Sequence, residues 1–351
     1  MKKIKKIIYI LLTFIIIILM TITLHKKNDY TEISQNAYVS SIGIDYDLST
    51  KKYTVYLYIL NNFNIGQSEF AIGEQDSLGY ISIGTSGSIP SAISTIKQQS
   101  NIKLQLSHIR SMVLTDRFFN DHNTLMLYSF IKYSPDFYPT FNIYTTSENL
   151  MDVYRVQNFS ETSAYYTILI NNDGVNDPKN ITCATFINDI LIDYYTGLYP
   201  IIKINKETFY NGDKPYISLG VSGYSFINDE GRLSSFTFSN FNGLVYLNEL
   251  KRNTLSFDKF DFFVNEYYYK TIVKNNKLYI SIKLHGSIIH STINLEYTEL
   301  LNQIKKMISD EITSLKKIMD NYNIDIFNIN YLSNKKNDYR STPIIVEVSI
   351  I

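Results

Sequence analysis

Residues 7–24 form eighteen consecutive positions without a charge, and their only polar groups are the hydroxyls of Tyr9, Thr13, Thr21 and Thr23. At about 1.5 Å per residue, a helix of that length spans about 27 Å, close to one hydrocarbon core. Lys2, Lys3, Lys5 and Lys6 precede the run, and Lys26 and Lys27 follow it. A basic excess before the run keeps the N-terminus in the cytoplasm and sends the body across the membrane. A cleavable signal has a shorter apolar core and small residues at the cut. Here the run exits through Thr23-Leu24-His25-Lys26-Lys27, and no cysteine is nearby to acylate. The expectation is a retained signal-anchor over residues 1–27, a single-pass transmembrane segment. The rival is a signal peptide cut at an unrecognised site.

The remaining chain, out of 351 residues, is long enough for about two domains. Hydrophobic residues at 45 % against charged residues at 19 % suit a core-forming body. The 33 basic and 33 acidic residues cancel, so no net field draws a nucleic acid. A single cysteine, Cys183, excludes an intrachain disulfide. It opens an apolar helical pattern with no base beside it, so it reads as a small packed hydrophobe.

Two β-rich runs over 37–47 and 51–60 read as an antiparallel pair. Tyr53, Val55, Leu57 and Ile59 alternate with Thr54, Tyr56, Tyr58 and Leu60 along the second. Residues 61–75 read as loop. Residues 78–100 read as strand, glycine turn and helix, with Ser88 as the cap, Pro90 in the first turn, and Ile89, Ala92, Ile93 and Ile96 on one face. A strand is expected in 108–116. A helix is expected over 117–132 with a stripe of Leu125, Leu127, Phe130 and Ile131, then a strand in 141–146. Helices follow at 160–171 and 185–195. Strands alternating with helices argue for an α/β or α+β class. The polar, turn-rich stretch 204–214 is the best seam, which divides the body into 28–203 and 215–351. Two strands over 262–274 and 277–289 are expected to meet at Asn275-Asn276. The strongest helix signal spans 297–322, where apolar residues from Leu300 to Met319 recur at three and four. A strand closes the chain over 341–351.

Catalytic and metal signatures fail. Gly84-Thr85-Ser86-Gly87-Ser88 lies between a strand and a helix but lacks the lysine of a phosphate loop and the glycine spacing of a dinucleotide site. His25, His108, His122, His285 and His290 make no metal-binding pair. Asp45 and Asp47 read as a strand-end turn rather than an acid–base pair. No catalytic residue, cofactor or metal is expected, and the chain is expected not to be an enzyme.

In order along the chain, Glu32-Ile33, Ala37, Val39 and Ile42-Gly43-Ile44-Asp45 form one spaced motif. Gly87-Ser88-Ile89 with Ala92-Ile93 forms a second, followed by Ser107-His108-Ile109-Arg110. Leu198-Tyr199-Pro200-Ile201, the spaced Gly220, Phe226, Gly231 and Leu233, and Asp325-Ile326-Phe327 after the long helix complete the series. This order resembles the Ger(x)C family, the C subunits of spore germinant receptors in endospore-forming Firmicutes. Glu32, Gly43, Asp45, Gly87, His108 and Pro200 are the motif positions. The chain departs from the family at the lipobox, whose cysteine and following tryptophan are here Lys27 and Asn28. Lipidation is therefore not expected, and the apolar run replaces it.

The resemblance implies an α+β body of mixed and antiparallel sheets packed by helices. The family's body has three domains, so 28–203 is expected to divide once more. It also implies a non-enzymatic subunit in nutrient-triggered germination, on the outer face of the spore inner membrane. Its partners there are the membrane and two polytopic receptor subunits, one channel-like and one permease-like. The alternative is an anchored extracytoplasmic protein that itself binds a small ligand.

Overall fold

The computed structural model describes residues 36–60, 79–119, 123–156, 181–211, 214–227, 233–237, 253–257, 260–292, 296–322, 324–334 and 339–351. The apolar run 7–24, the loop 61–75 and the helix expected over 160–171 lie outside the described residues. Among the described residues no helix is long and apolar enough to cross a membrane.

Alternating apolar residues make the first hairpin. β1 (Asn36–Asp47) and β2 (Lys52–Leu60) pair antiparallel, with Ile44 opposite Val55 and Ile42 opposite Leu57. Tyr53, Val55, Leu57 and Ile59 all enter one core. The turn between the strands is tied by Asp47, whose carboxylate accepts from the Ser49 amide at 2.9 Å, the Ser49 hydroxyl at 2.7 Å and the Thr50 hydroxyl at 2.8 Å. These bonds hold the Asp47 carboxyl at about 2, below its usual 3.8. A depressed folded-state value stabilises fully above pH 3.8, and that contribution is lost as pH falls through 2. Asp47→Asn is therefore expected to lower stability modestly at pH 7, to make little difference below pH 2, and so to flatten acid unfolding over this window, as read by circular dichroism.

β3 (Gly79–Ser86) adds to β2, and α1 (Ile89–Gln99) follows. Ser88 caps α1 by accepting from the Ser91 amide at 3.3 Å, and Ile89, Ala92, Ile93 and Ile96 are buried, as the sequence indicated. β4 (Lys103–Gln105) and β5 (Ser111–Thr115) run parallel to β1. The expected helix over 117–132 is instead a 3-10 turn, Asp116–Phe119, and a separate α2 (Asn123–Tyr133). Leu127, Phe130 and Ile131 are buried but Leu125 is exposed, because it lies about 200° round the helix from Leu127. β6 (Asn142–Thr146) is parallel to β5, and α3 (Leu150–Arg155) follows. The helix expected over 185–195 is α4 (Cys183–Leu191), capped by Thr182, which accepts from the Thr185 amide at 3.2 Å. It stops short because Ile192 leaves the helical region for extended backbone, φ −83° and ψ 120°, while its amide donates to the Asn188 carbonyl at 3.0 Å.

β7 (Leu198–Asn211), β8 (Lys214–Ile227) and β9 (Leu233–Thr237) extend the same sheet, in the order β3-β2-β1-β5-β6-β7-β8-β9 with β4 beside β1. The polar stretch 204–214 forms the far end of the β7–β8 hairpin, with Asn211 opposite Lys214. The packing changes partner at the other end of β8, where Tyr224 and Phe226 join the second sheet's core.

That second sheet is β10 (Asn253–Phe257), β11 (Phe260–Lys274), β12 (Lys277–Ser291) and β13 (Ile344–Ile350), in that order. β11 and β12 meet at Asn275-Asn276, with φ of 51° and 55°, the two positive values a tight hairpin turn needs. α5 (Tyr297–Tyr322) packs along β13 and buries Leu300, Ile304, Ile308, Ile312, Leu315 and Met319. A short α6 (Ile329–Leu332) closes that core. The architecture is α+β, with two mixed sheets packed by helices.

Candidate functional site

The Gly43-Ile44-Asp45 motif lies on a central strand and serves both faces of the sheet. Ile44 enters the core under α1 and α2. Gly43 faces the other way, towards α3, where a smaller core gathers Tyr58, Val113, Tyr144, Leu150, Val153 and Tyr154. Tyr154 lies over the gap that Gly43 leaves. Its ring stacks on Tyr58 at 5.9 Å and Tyr56 at 6.5 Å, and its hydroxyl shares a 3.1 Å hydrogen bond with Ser41. Ser111 donates to the same Ser41 oxygen at 2.8 Å. Burial pushes the Tyr154 hydroxyl well above its ordinary range, so it stays protonated.

Asp45 ends the motif at the rim of this face. It accepts from the Thr115 hydroxyl at 2.6 Å, the Tyr46 amide at 2.9 Å and Arg117 Nε at 3.0 Å, while Arg117 Nη2 reaches its second oxygen. The guanidinium thus grips the carboxylate with two parallel bonds and ties β1 to the turn after β5. The Arg117 side chain is 61 % exposed, so water screens this clasp. Asp45→Ala is expected to cost about 1 kcal/mol in urea unfolding. The loss should be largely shared with Arg117→Ala in a double-mutant cycle. The neighbouring Tyr56 hydroxyl is raised by burial first and by the Asp45 charge second, against the opposing Arg117.

The other motif positions do not join this cluster. Gly87 precedes the α1 cap, and an added Cβ there would meet nothing within 4 Å. His108 is exposed, edge-on to Tyr38 with ring centroids 4.9 Å apart, and its Nδ1 is 3.1 Å from the Ser107 hydroxyl. Pro200 is buried in β7, where its carbonyl accepts from the Thr145 hydroxyl at 3.2 Å. Thr145 also bonds Ser225 at 2.7 Å, and Thr146 donates to the Ile202 carbonyl at 2.9 Å. Here β6 and β7 share one pair in register, Thr145 with Ile201, and hydroxyls supplement the backbone ladder. Glu32 and Lys27 lie outside the described residues.

Sequence spacing had signalled neither Tyr154 nor Arg117. Arg117 is 72 residues from Asp45, and only the parallel pairing of β1 and β5 joins them. The glycine was the one available sign of a close approach at Tyr154.

Asp45 and Asp47 serve separate structural partners, so they do not form an acid–base pair. Cys183 is buried, and burial pushes its thiol up to about 12, outweighing any help from the α4 N-terminus. Among the described residues no three His, Cys, Asp or Glu side chains gather as a metal-holding group. The arrangement fastens strands and helices together, and its exposed member is the Asp45–Arg117 clasp beside Tyr56.

In structural comparison, the chain resembles the crystal structure of the GerBC protein at a TM-score of 0.49 and 14 % identity, over 88 % of this chain and 96 % of that one. No curated protein sequence matches it. The model of the spore germination protein N-terminal domain matches residues 29–204, which takes in β1 through the first half of β7 and every motif from Glu32 to Pro200. That match covers half of the chain, which therefore belongs to the family of spore germination proteins that carry this domain.

Proposed function

We infer that this chain is the C subunit of a spore germinant receptor and acts in germination without catalysing a reaction. The match of residues 29–204 to the germination-protein domain carries the reading. A supporting role is in keeping with the described motif positions, where Gly43 makes room for Tyr154, Ser88 caps α1 and Asp45 clasps Arg117. In this reading the apolar run 7–24 holds the body on the outer face of the spore inner membrane, with the N-terminus in the cytoplasm. Channel-like and permease-like subunits are its partners there.

Two measurements test it. Intact mass and fractionation of the protein from purified spores should give the full-length chain in the inner-membrane fraction. A shortened, released protein would remove the anchor. Spores lacking the gene should form normally and fail to release dipicolinic acid when nutrient or bile-salt germinants are added. An undiminished response to the full germinant set would remove the receptor assignment.

A further inference from the structure

The second sheet buries one face under α5 and, among the described residues, leaves the other open. On the open face the register aligns Ile272 of β11 with Tyr279 of β12 and Ile345 of β13, an apolar row across three strands. Ile272 is 44 % exposed, and Tyr268, four positions and two rows away on the same face, is 62 % exposed. Lysines flank the row on both sides. Lys270 and Lys283 lie towards the sheet centre, and Lys274 and Lys277 face each other at the hairpin turn. All four are exposed, and none makes an ion pair or hydrogen bond among the described residues. Two acids, Glu266 and Glu347, share the face but bind none of these lysines.

Directly opposed like charges weaken a hairpin unless something of opposite sign meets them. An apolar row bordered by lysines, with an exposed tyrosine beyond them, has the composition of a membrane-interface surface. The stems cover apolar area while the ammonium heads reach phosphates. We propose that this open β11–β12–β13 face docks on an anionic lipid bilayer, with Lys274 and Lys277 at the phosphates and the Ile272–Tyr279–Ile345 row at headgroup depth. The proposal rests on the anchored reading above, which keeps the body within reach of a bilayer. An acidic protein surface would satisfy the lysines but gives no reason for the apolar row between them, in which Ile272 is exposed and Tyr279 and Ile345 are half-buried.

The single native thiol is buried and protonated, so an introduced cysteine can be labelled alone. Ser281→Cys, at the middle of the open face, would carry an environment-sensitive fluorophore, and Lys306→Cys on the exposed side of α5 would be the control. The full chain is reconstituted into phosphatidylcholine vesicles with or without about 30 % phosphatidylglycerol, each doped with nitroxide-headgroup lipid. Quenching at position 281 is expected only with the anionic lipid, and none at 306. High salt should abolish it. Each lysine at such a surface is worth about five-fold in partitioning, so Lys274→Glu with Lys277→Glu should also abolish it. Equal quenching at 281 on both vesicles overturns the proposal. So does a label at 281 that is unquenched on anionic vesicles while, in native spore membranes, the unlabelled Ser281→Cys thiol is shielded from a soluble thiol reagent, which would make the occupant a protein. Retention of the chain on pure phosphatidylcholine vesicles reports the anchor separately, so loss of the anchor and loss of the docking face are distinguishable.

Discussion

Gly43→Val is expected to lower stability by about 3 kcal/mol, read as the shift in a urea unfolding midpoint. A Cβ at this position would lie 2.8 Å from Tyr154 Cε2, 3.0 Å from its hydroxyl oxygen and 3.1 Å from Leu150 Cδ1. Tyr154 has little room to withdraw, since it is stacked on Tyr58 and bonded to Ser41. The backbone is held too, with β2 on one side of β1 and β5 on the other. Valine's preference for strands, at most about 1 kcal/mol, favours the substitution but is outweighed by the overlap. The same substitution in a Tyr154→Ala background should cost much less, because the new methyls then enter the space the ring vacates. Equal costs in both backgrounds would mean that the glycine is not there for the tyrosine. Since α3 is seated through Tyr154 and Leu150, the loss should be accompanied by faster hydrogen exchange in residues 150–155.

The elements that were legible in the sequence are those fixed by neighbours in the chain. The long helix was read as 297–322 and spans Tyr297–Tyr322, because its apolar residues recur at helical spacing over seven turns. The Ser88 cap and the Asn275-Asn276 turn were legible for the same reason, since a side-chain oxygen and two left-handed residues act within a few positions. Leu125 cannot share the buried stripe of Leu127, because a spacing of two puts residues about 200° apart on any helix. The end of α4 was not legible because Ile192, an apolar residue with no compositional stop signal, turns to extended backbone there. The candidate site was less legible than the fold. The motif pointed to Gly43 and Asp45, but Arg117 and Tyr154 reach them through strand order and helix placement, which local periodicity does not encode. The hydroxyls joining β6, β7 and β8 were hidden too, since Thr145 and Ser225 are 80 residues apart.

The Asp325-Ile326-Phe327 motif yields the second large effect. Asp325 is buried, and its two oxygens accept from the Ile329 amide at 2.9 Å and the Asn330 amide at 2.8 Å. Ile329 and Asn330 are themselves buried, so water cannot readily replace the carboxylate. Asp325→Ala strips both donors of this acceptor and should cost about 3 kcal/mol, taking each lost charge-assisted bond at about 1.5 kcal/mol. Asp325→Asn keeps one acceptor and turns a donor towards the other amide, so its cost should be intermediate. The effect should also extend beyond the turn. Asn328, held at a left-handed φ of 54°, accepts from the Thr196 amide at 2.6 Å, and Tyr331 meets Tyr195 edge-on at 5.4 Å. These contacts fasten the turn to the segment that leads into β7. When Asp325 is lost, Asn328 and Tyr331 lose the frame that positions them. Hydrogen exchange at residues 195–198 should then rise in the alanine variant, more than in the asparagine variant and before global unfolding. Unchanged exchange there, with the turn alone loosened, would mean that the motif stabilises the second core without coupling it to the germination domain.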